Sequence, residues 1–175
     1  MSALRLINET EITSSVSSVD ITDVFSADFD IYKITSQAVS STAELGTRLR
    51  YINSSGSVIS ASNYDNAFLV LYTYQSFGEG KTVNGDHHSA FFGTSDVAPE
   101  GTSAVAYIFN PYSSSSYTFA INQIMSVANL NEYSRKYISV FKQATSVTGF
   151  RAYASTDSFD TGTVFRTYGL RVDNG

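Results

Sequence analysis

The chain has 175 residues with a formal net charge of −5; 15% of them are charged, 14% aromatic and none is cysteine. That length suits one domain, residues 1–175, able to bury a core of its own. The missing cysteine excludes disulfides, thiolate metal sites and cysteine nucleophiles, and eleven scattered Lys and Arg in an acidic chain exclude the clustered basic face that nucleic acid requires.

Twelve Tyr, twelve Phe, abundant Ser and Thr and only two Pro favour pleated, half-buried strands. Residues 3–8 read as a first strand, with Leu4 and Leu6 on one face, and Val16, Val19 and Ile21 mark a second, Ser-rich extended stretch. Residues 29–34 alternate, with Phe29 and Ile31 opposed by Asp30 and Tyr32. Residues 48–52 set Leu49 and Tyr51 against Arg48 and Arg50, ahead of an Asn-Ser-Ser-Gly turn at 53–56. The most apolar segment, residues 67–75, is expected as a central strand, and the glycine-rich residues 77–86 as a loop or hairpin tip.

Residues 89–93 and 104–109 follow, the latter grouping Val105, Tyr107 and Phe109. After the loop at 110–116, residues 117–121 alternate in strict period two. Residues 123–136 place Ile124, Val127 and Leu130 at helical spacing, although Asn129 and Asn131 and the missing caps weigh against a helix. Residues 137–142, 150–154 and 163–172 bring the count to about ten strands. The expected fold is all-β, a two-sheet antiparallel β-sandwich of the jelly-roll kind.

The N-terminus lacks the basic, apolar and small-residue regions of a signal peptide, and no apolar run approaches the roughly 18 residues that span a bilayer. Synthesis in a cytoplasm and no membrane association are expected. His87 and His88 lie beside Asp86 and near Glu79, but neighbouring strand residues point to opposite faces, so a shared metal is not expected. A Ser-His-Asp set is available by count in so Ser-rich a chain, yet no Gly-x-Ser-x-Gly frames a serine, and neither an enzyme nor a cofactor is expected. Gly78 to Thr82 lacks the spacing of a phosphate loop. Asp20, Asp23, Asp28, Asp30, Asp157 and Asp160 read as turn residues that bond their own backbone. Tyr112, Tyr117 and Tyr133, in or beside Ser/Asn-rich loops, are the candidate surface contacts for protein or sugar.

Four blocks carry a family likeness: residues 29–34; residues 48–56 running on to 62–67; residues 108–117; and residues 148–170, in which Asp160-Thr-Gly-Thr163 and Tyr168-Gly-Leu170 fall in order. Together they resemble small virion structural proteins of tailed phages, often marine ones. Gly46-Thr47 and the His87-His88 loop depart from that pattern. The resemblance implies a particle component on the virion surface, with no active site to carry over. Its partners would be major capsid or tail proteins and further copies of itself, a trimer being common in such roles. A capsid decoration protein is the first expectation; a tail accessory protein or adhesin for a host glycan or protein is the second.

Overall fold

The computed structural model describes residues 4–38, 46–93, 102–128, 131–156 and 158–170. Ala3, Asn129, Leu130, Asp157 and Val172, named in the readings above, lie outside them. Among the described residues there is no helix and there are twelve strands: β1 Leu4–Glu11, β2 Ser18–Ile21, β3 Ile31–Ala38, β4 Thr47–Asn53, β5 Tyr64–Tyr72, β6 Gly78–Gly85, β7 His88–Ser89, β8 Thr102–Phe109, β9 Thr118–Ala128, β10 Asn131–Phe141, β11 Val147–Ala154 and β12 Val164–Leu170. They form two antiparallel sheets, ordered β1-β12-β3-β8-β9-β10-β5-β6 and β2-β11-β4-β7. The chain passes repeatedly between the layers, so an all-β sandwich is what the composition builds.

The core lies between the sheets and is largely aromatic. Phe25, Phe92, Phe150, Phe159 and Phe165 are fully buried, and Phe92 meets Phe165 edge-on at 5.1 Å between ring centroids. Each such ring contributes roughly 1.5–3 kcal/mol by leaving water. The buried Tyr32 hydroxyl is tied down: it donates to the Ser26 carbonyl at 2.8 Å and accepts from the Ser26 amide at 2.7 Å. A bulge in β11 brings Gly149 so close to β2 that a Cβ there would stand 2.3 Å from the Ile21 carbonyl oxygen.

Four expectations are corrected. Residues 123–128 and 131–136 belong to strands β9 and β10 rather than a helix; β9 is paired on both sides, by β8 and β10, and that ladder overrides the spacing of Ile124 and Val127. Residues 77–86 are mainly the edge strand β6, which pairs with β5 and leaves β5 second from the edge rather than central. In β3 the buried face carries Tyr32, Ile34 and Ser36, while Ile31 faces outward. The hydroxyl bonds of Tyr32 make that side the satisfiable one to bury. Tyr133 is no surface contact. It lies on the inward face of β10, 5% exposed, with its ring 6.0 Å from Tyr72 and under the Arg135 guanidinium at 5.0 Å.

Candidate functional site

The outward face of the eight-stranded sheet is apolar. Strand register aligns Tyr168, Lys33, Tyr107, Ile121, Ile138 and Ala67 in one row across β12, β3, β8, β9, β10 and β5. A second row runs Leu170, Ile31, Phe109, Phe119, Val140. Ile138 is 65% exposed, and Phe119, Ile121, Met125 and Leu69 are exposed beside it. Shallow troughs score the face, one of about 590 Å³ between β5, β6 and β10 with Leu69, Ile138, Lys81 and Lys136 on its walls.

Local sequence explains this polarity. In β9 the inward positions are Thr118, Ala120, Asn122, Ile124 and Ser126, mostly small or polar, and the outward ones include Phe119, Ile121 and Met125. Small inward residues leave room for the rings of the opposite layer. Asn122 also donates through Nδ2 to the Phe91 carbonyl at 3.2 Å, which ties the sheet to the turn after β7. The outward set keeps the apolar residues, in contrast to a solvated antiparallel sheet, whose free face is polar. About six strands at a spacing of about 4.8 Å and two rows deep give an apolar face on the order of 400 Å² in projection. That is the size of the largest patch on a monomer, which is often a functional one.

Two of the three sequence-selected tyrosines do reach solvent. Tyr112 is 40% and Tyr117 46% exposed, at either end of the loop joining β8 to β9. The loop is pinned by the Asn110 amide donating to Asp30 O at 2.8 Å and Val147 N to Pro111 O at 2.8 Å.

The outward face of the small sheet is built differently, from charge and hydroxyl groups. Asp20 accepts two bonds from Arg151, at 2.5 and 2.7 Å. Asp23 takes the left-handed conformation of a turn, with φ 56°, and the Asp28 amide donates to Ser26 Oγ at 3.2 Å. Those carboxylates serve turns and strand pairing. Arg50 pairs with the Asp86 carboxylate and also donates through Nε to the Asp86 carbonyl at 3.0 Å. His87 and His88 diverge as strand alternation requires. His88 is buried, its ring 4.9 Å from that of Tyr64 and 5.6 Å from that of Tyr51. Burial pushes its pKa down to about 3. His87 is half-buried on the outer side, between Asp86 and Ser89. Among the described residues no group of three His, Cys, Asp or Glu comes together to hold a metal.

Sequence reasoning missed the apolar face. The signal was present in β9, where strict alternation sets Phe119 and Ile121 against Ala120 and Asn122, but alternation alone does not say which set turns inward.

No protein-family model matches the sequence, and no curated protein does. Among solved structures, a mutant VP2 protein of infectious bursal disease virus, from derived T=1 particles, aligns with 96% of this chain at 10% identity and a TM-score of 0.14. The chain spans 38% of that protein's length, and a likeness of this size bears on neither fold nor function.

Proposed function

We propose that this protein is a structural component of a tailed-phage virion, a decoration subunit held on the head by the outward face of its eight-stranded sheet. The observation that carries the reading is that face: an apolar surface crossed by the rows of Ile121 and Ile138, with few charges to keep it in water. Burying it against a capsid lattice removes apolar area at about 25 cal/mol per Å². Modest single contacts become a firm array when many copies bind together. The family likeness of residues 29–170 supports the same role, with major capsid proteins and further copies of the chain as partners.

A second reading, a tail accessory subunit or adhesin for a host glycan, draws on the exposed rings of Tyr112 and Tyr117. Quantitative staining of purified particles separates the two. A decoration is present in hundreds of copies; a few dozen or fewer, together with glycan-array hits lost in Tyr112→Ala and Tyr117→Ala, favours the adhesin. In the decoration reading, Ile121→Lys with Ile138→Lys abolishes co-sedimentation with heads while the β-type circular dichroism stays unchanged. Undiminished co-sedimentation removes the sheet face from the assembly.

A further inference from the structure

We propose that Asp86, His87 and Ser89 form a nucleophile relay and that the chain hydrolyses short acyl esters at Ser89. The relay lies on the outward face of the small sheet, away from the docking face, so it remains open when the large sheet is covered. This goes beyond the structural role and does not depend on it.

Three observations carry the inference. The first is the geometry of the set. The Asp86 carboxylate accepts from His87 Nδ1 at 2.5 Å, which selects the Nδ1–H tautomer and turns the Nε2 lone pair toward Ser89. Ser89 Oγ donates to that nitrogen at 3.1 Å. Nucleophile, base and orienting carboxylate are thus in hydrogen-bond contact in the order that acyl transfer needs, and such sets are recognised by geometry rather than by sequence spacing.

The second is the rigidity of the support. Arg50 holds the far side of the Asp86 carboxylate. Immediately after Ser89 the backbone turns through Ala90 in the left-handed region, φ 48°. Thr47 fixes that turn, its carbonyl accepting from the Phe91 amide at 3.2 Å and its hydroxyl from the Phe92 amide at 2.9 Å, with both phenyl rings buried. A non-glycine residue in that region is uncommon and strained, so the surroundings have to impose it.

The third is charge. Arg48 lies directly across the strand pair from Ser89 and so on the same face, a positive residue on the side where a tetrahedral oxyanion would develop. Arg50 lies over the neighbouring Tyr153 ring at 5.0 Å. Burial lowers the His87 pKa more than the Asp86 bond raises it, which keeps the ring neutral and able to accept a proton at pH 7.

In the reaction, Ser89 Oγ bonds to the ester carbonyl carbon as its proton passes to His87 Nε2. The oxyanion collapses, the carbon–oxygen bond to the alcohol breaks, and the alcohol leaves with the proton from Nε2. Water then adds to the acyl-serine with His87 again as base, which releases the carboxylic acid and restores Ser89. Ser89 is half-buried at a surface, so the acyl group it reaches is short.

The test uses the purified full chain with p-nitrophenyl acetate and with a fluorophosphonate probe, the adduct being mapped by peptide mass spectrometry. We expect the adduct on Ser89, and ester hydrolysis at least about 100-fold faster than in Ser89→Ala or His87→Ala. Asp86→Asn, a positioning change, lowers kcat and leaves KM in place. Mapping the wild-type adduct needs no variant, so a misfolded variant does not blunt the test. Absence of an adduct at Ser89, or hydrolysis within twofold of wild type in a Ser89→Ala chain whose circular dichroism is unchanged, overturns the proposal.

Discussion

His88 shows how much a single buried side chain decides. Its ring is enclosed by Tyr51, Tyr64 and Phe91, and among the described residues neither ring nitrogen has a hydrogen-bond partner, Asp65 acting on it only at longer range. Above pH 6.5 the ring is neutral folded and unfolded, and no stability is at stake. As pH falls from 6.5 toward the folded value of about 3, the unfolded chain takes up a proton that the folded chain refuses. Stability therefore drains across that window, by an amount on the order of several kcal/mol. Wild type should lose markedly more of its thermal midpoint between pH 7 and pH 4 than His88→Phe, measured by circular dichroism. Equal losses would show that other groups dominate. Gly149, in β11, is as exacting for a steric reason: Gly149→Ala drives a methyl group into the Ile21 carbonyl. It should cost about 2–4 kcal/mol in urea denaturation. The divergence of His87 and His88 was legible from alternation alone. The burial of Tyr133 was not, because its flanking Asn and Ser residues read as a loop until the β9–β10 hairpin is seen.

At the level of elements, strand existence was easier to read than strand facing. The register joining β3, β8 and β9 coincides with stretches whose period-two pattern is plain. An alternation of apolar and polar residues locates a strand, but a sheet with rings on one side and aliphatics on the other offers two ways to turn it. Strand β6 was hidden for the opposite reason. Gly78, Gly80 and Gly85 mimic a loop, yet the Phe68 ring covers Gly80 so closely that a Cβ there would sit 2.5 Å from it, and glycine is what lets the edge strand pass. Pairing on one side only, as for β1 at the opposite edge, should leave β6 less protected than the inner strands of the large sheet. Hydrogen exchange followed by mass spectrometry is expected to label residues 78–85 well before β8 and β9. Protection of β6 equal to that of β9 would mean that its edge is covered in solution.

Taken whole, the molecule has two unlike faces, apolar outside the large sheet and charged outside the small one. The net charge of −5 is therefore unevenly spent on solubility, since the face with Phe119, Ile121 and Ile138 gains little from it. The native protein at neutral pH should enhance the fluorescence of an apolar dye such as ANS, and Ile121→Lys with Ile138→Lys should remove most of that signal without lowering the thermal midpoint. A dark wild-type sample would place the face out of solvent in a self-associated form, which sedimentation velocity would detect. The all-β class and the two-sheet layering were accessible from composition and spacing. The division into eight and four strands, and with it this two-faced character, depends on pairings far apart in the chain, β1 with β12 above all.

The inside-out polarity of β9 has a consequence for how the chain reaches its native state. A slip of one residue would carry Phe119, Ile121 and Met125 into the interior and turn Thr118, Ala120, Asn122 and a single large apolar residue, Ile124, to water. By transfer energy alone that arrangement is the better one, at roughly 1.5–3 kcal/mol for each large side chain. What rules it out is volume: the space above Ala120 and Asn122 is already filled by rings from the other layer. The correct register is thus enforced late, once Phe91 and its neighbours have docked, and until then the nascent sheet has a competitor with real thermodynamic pull.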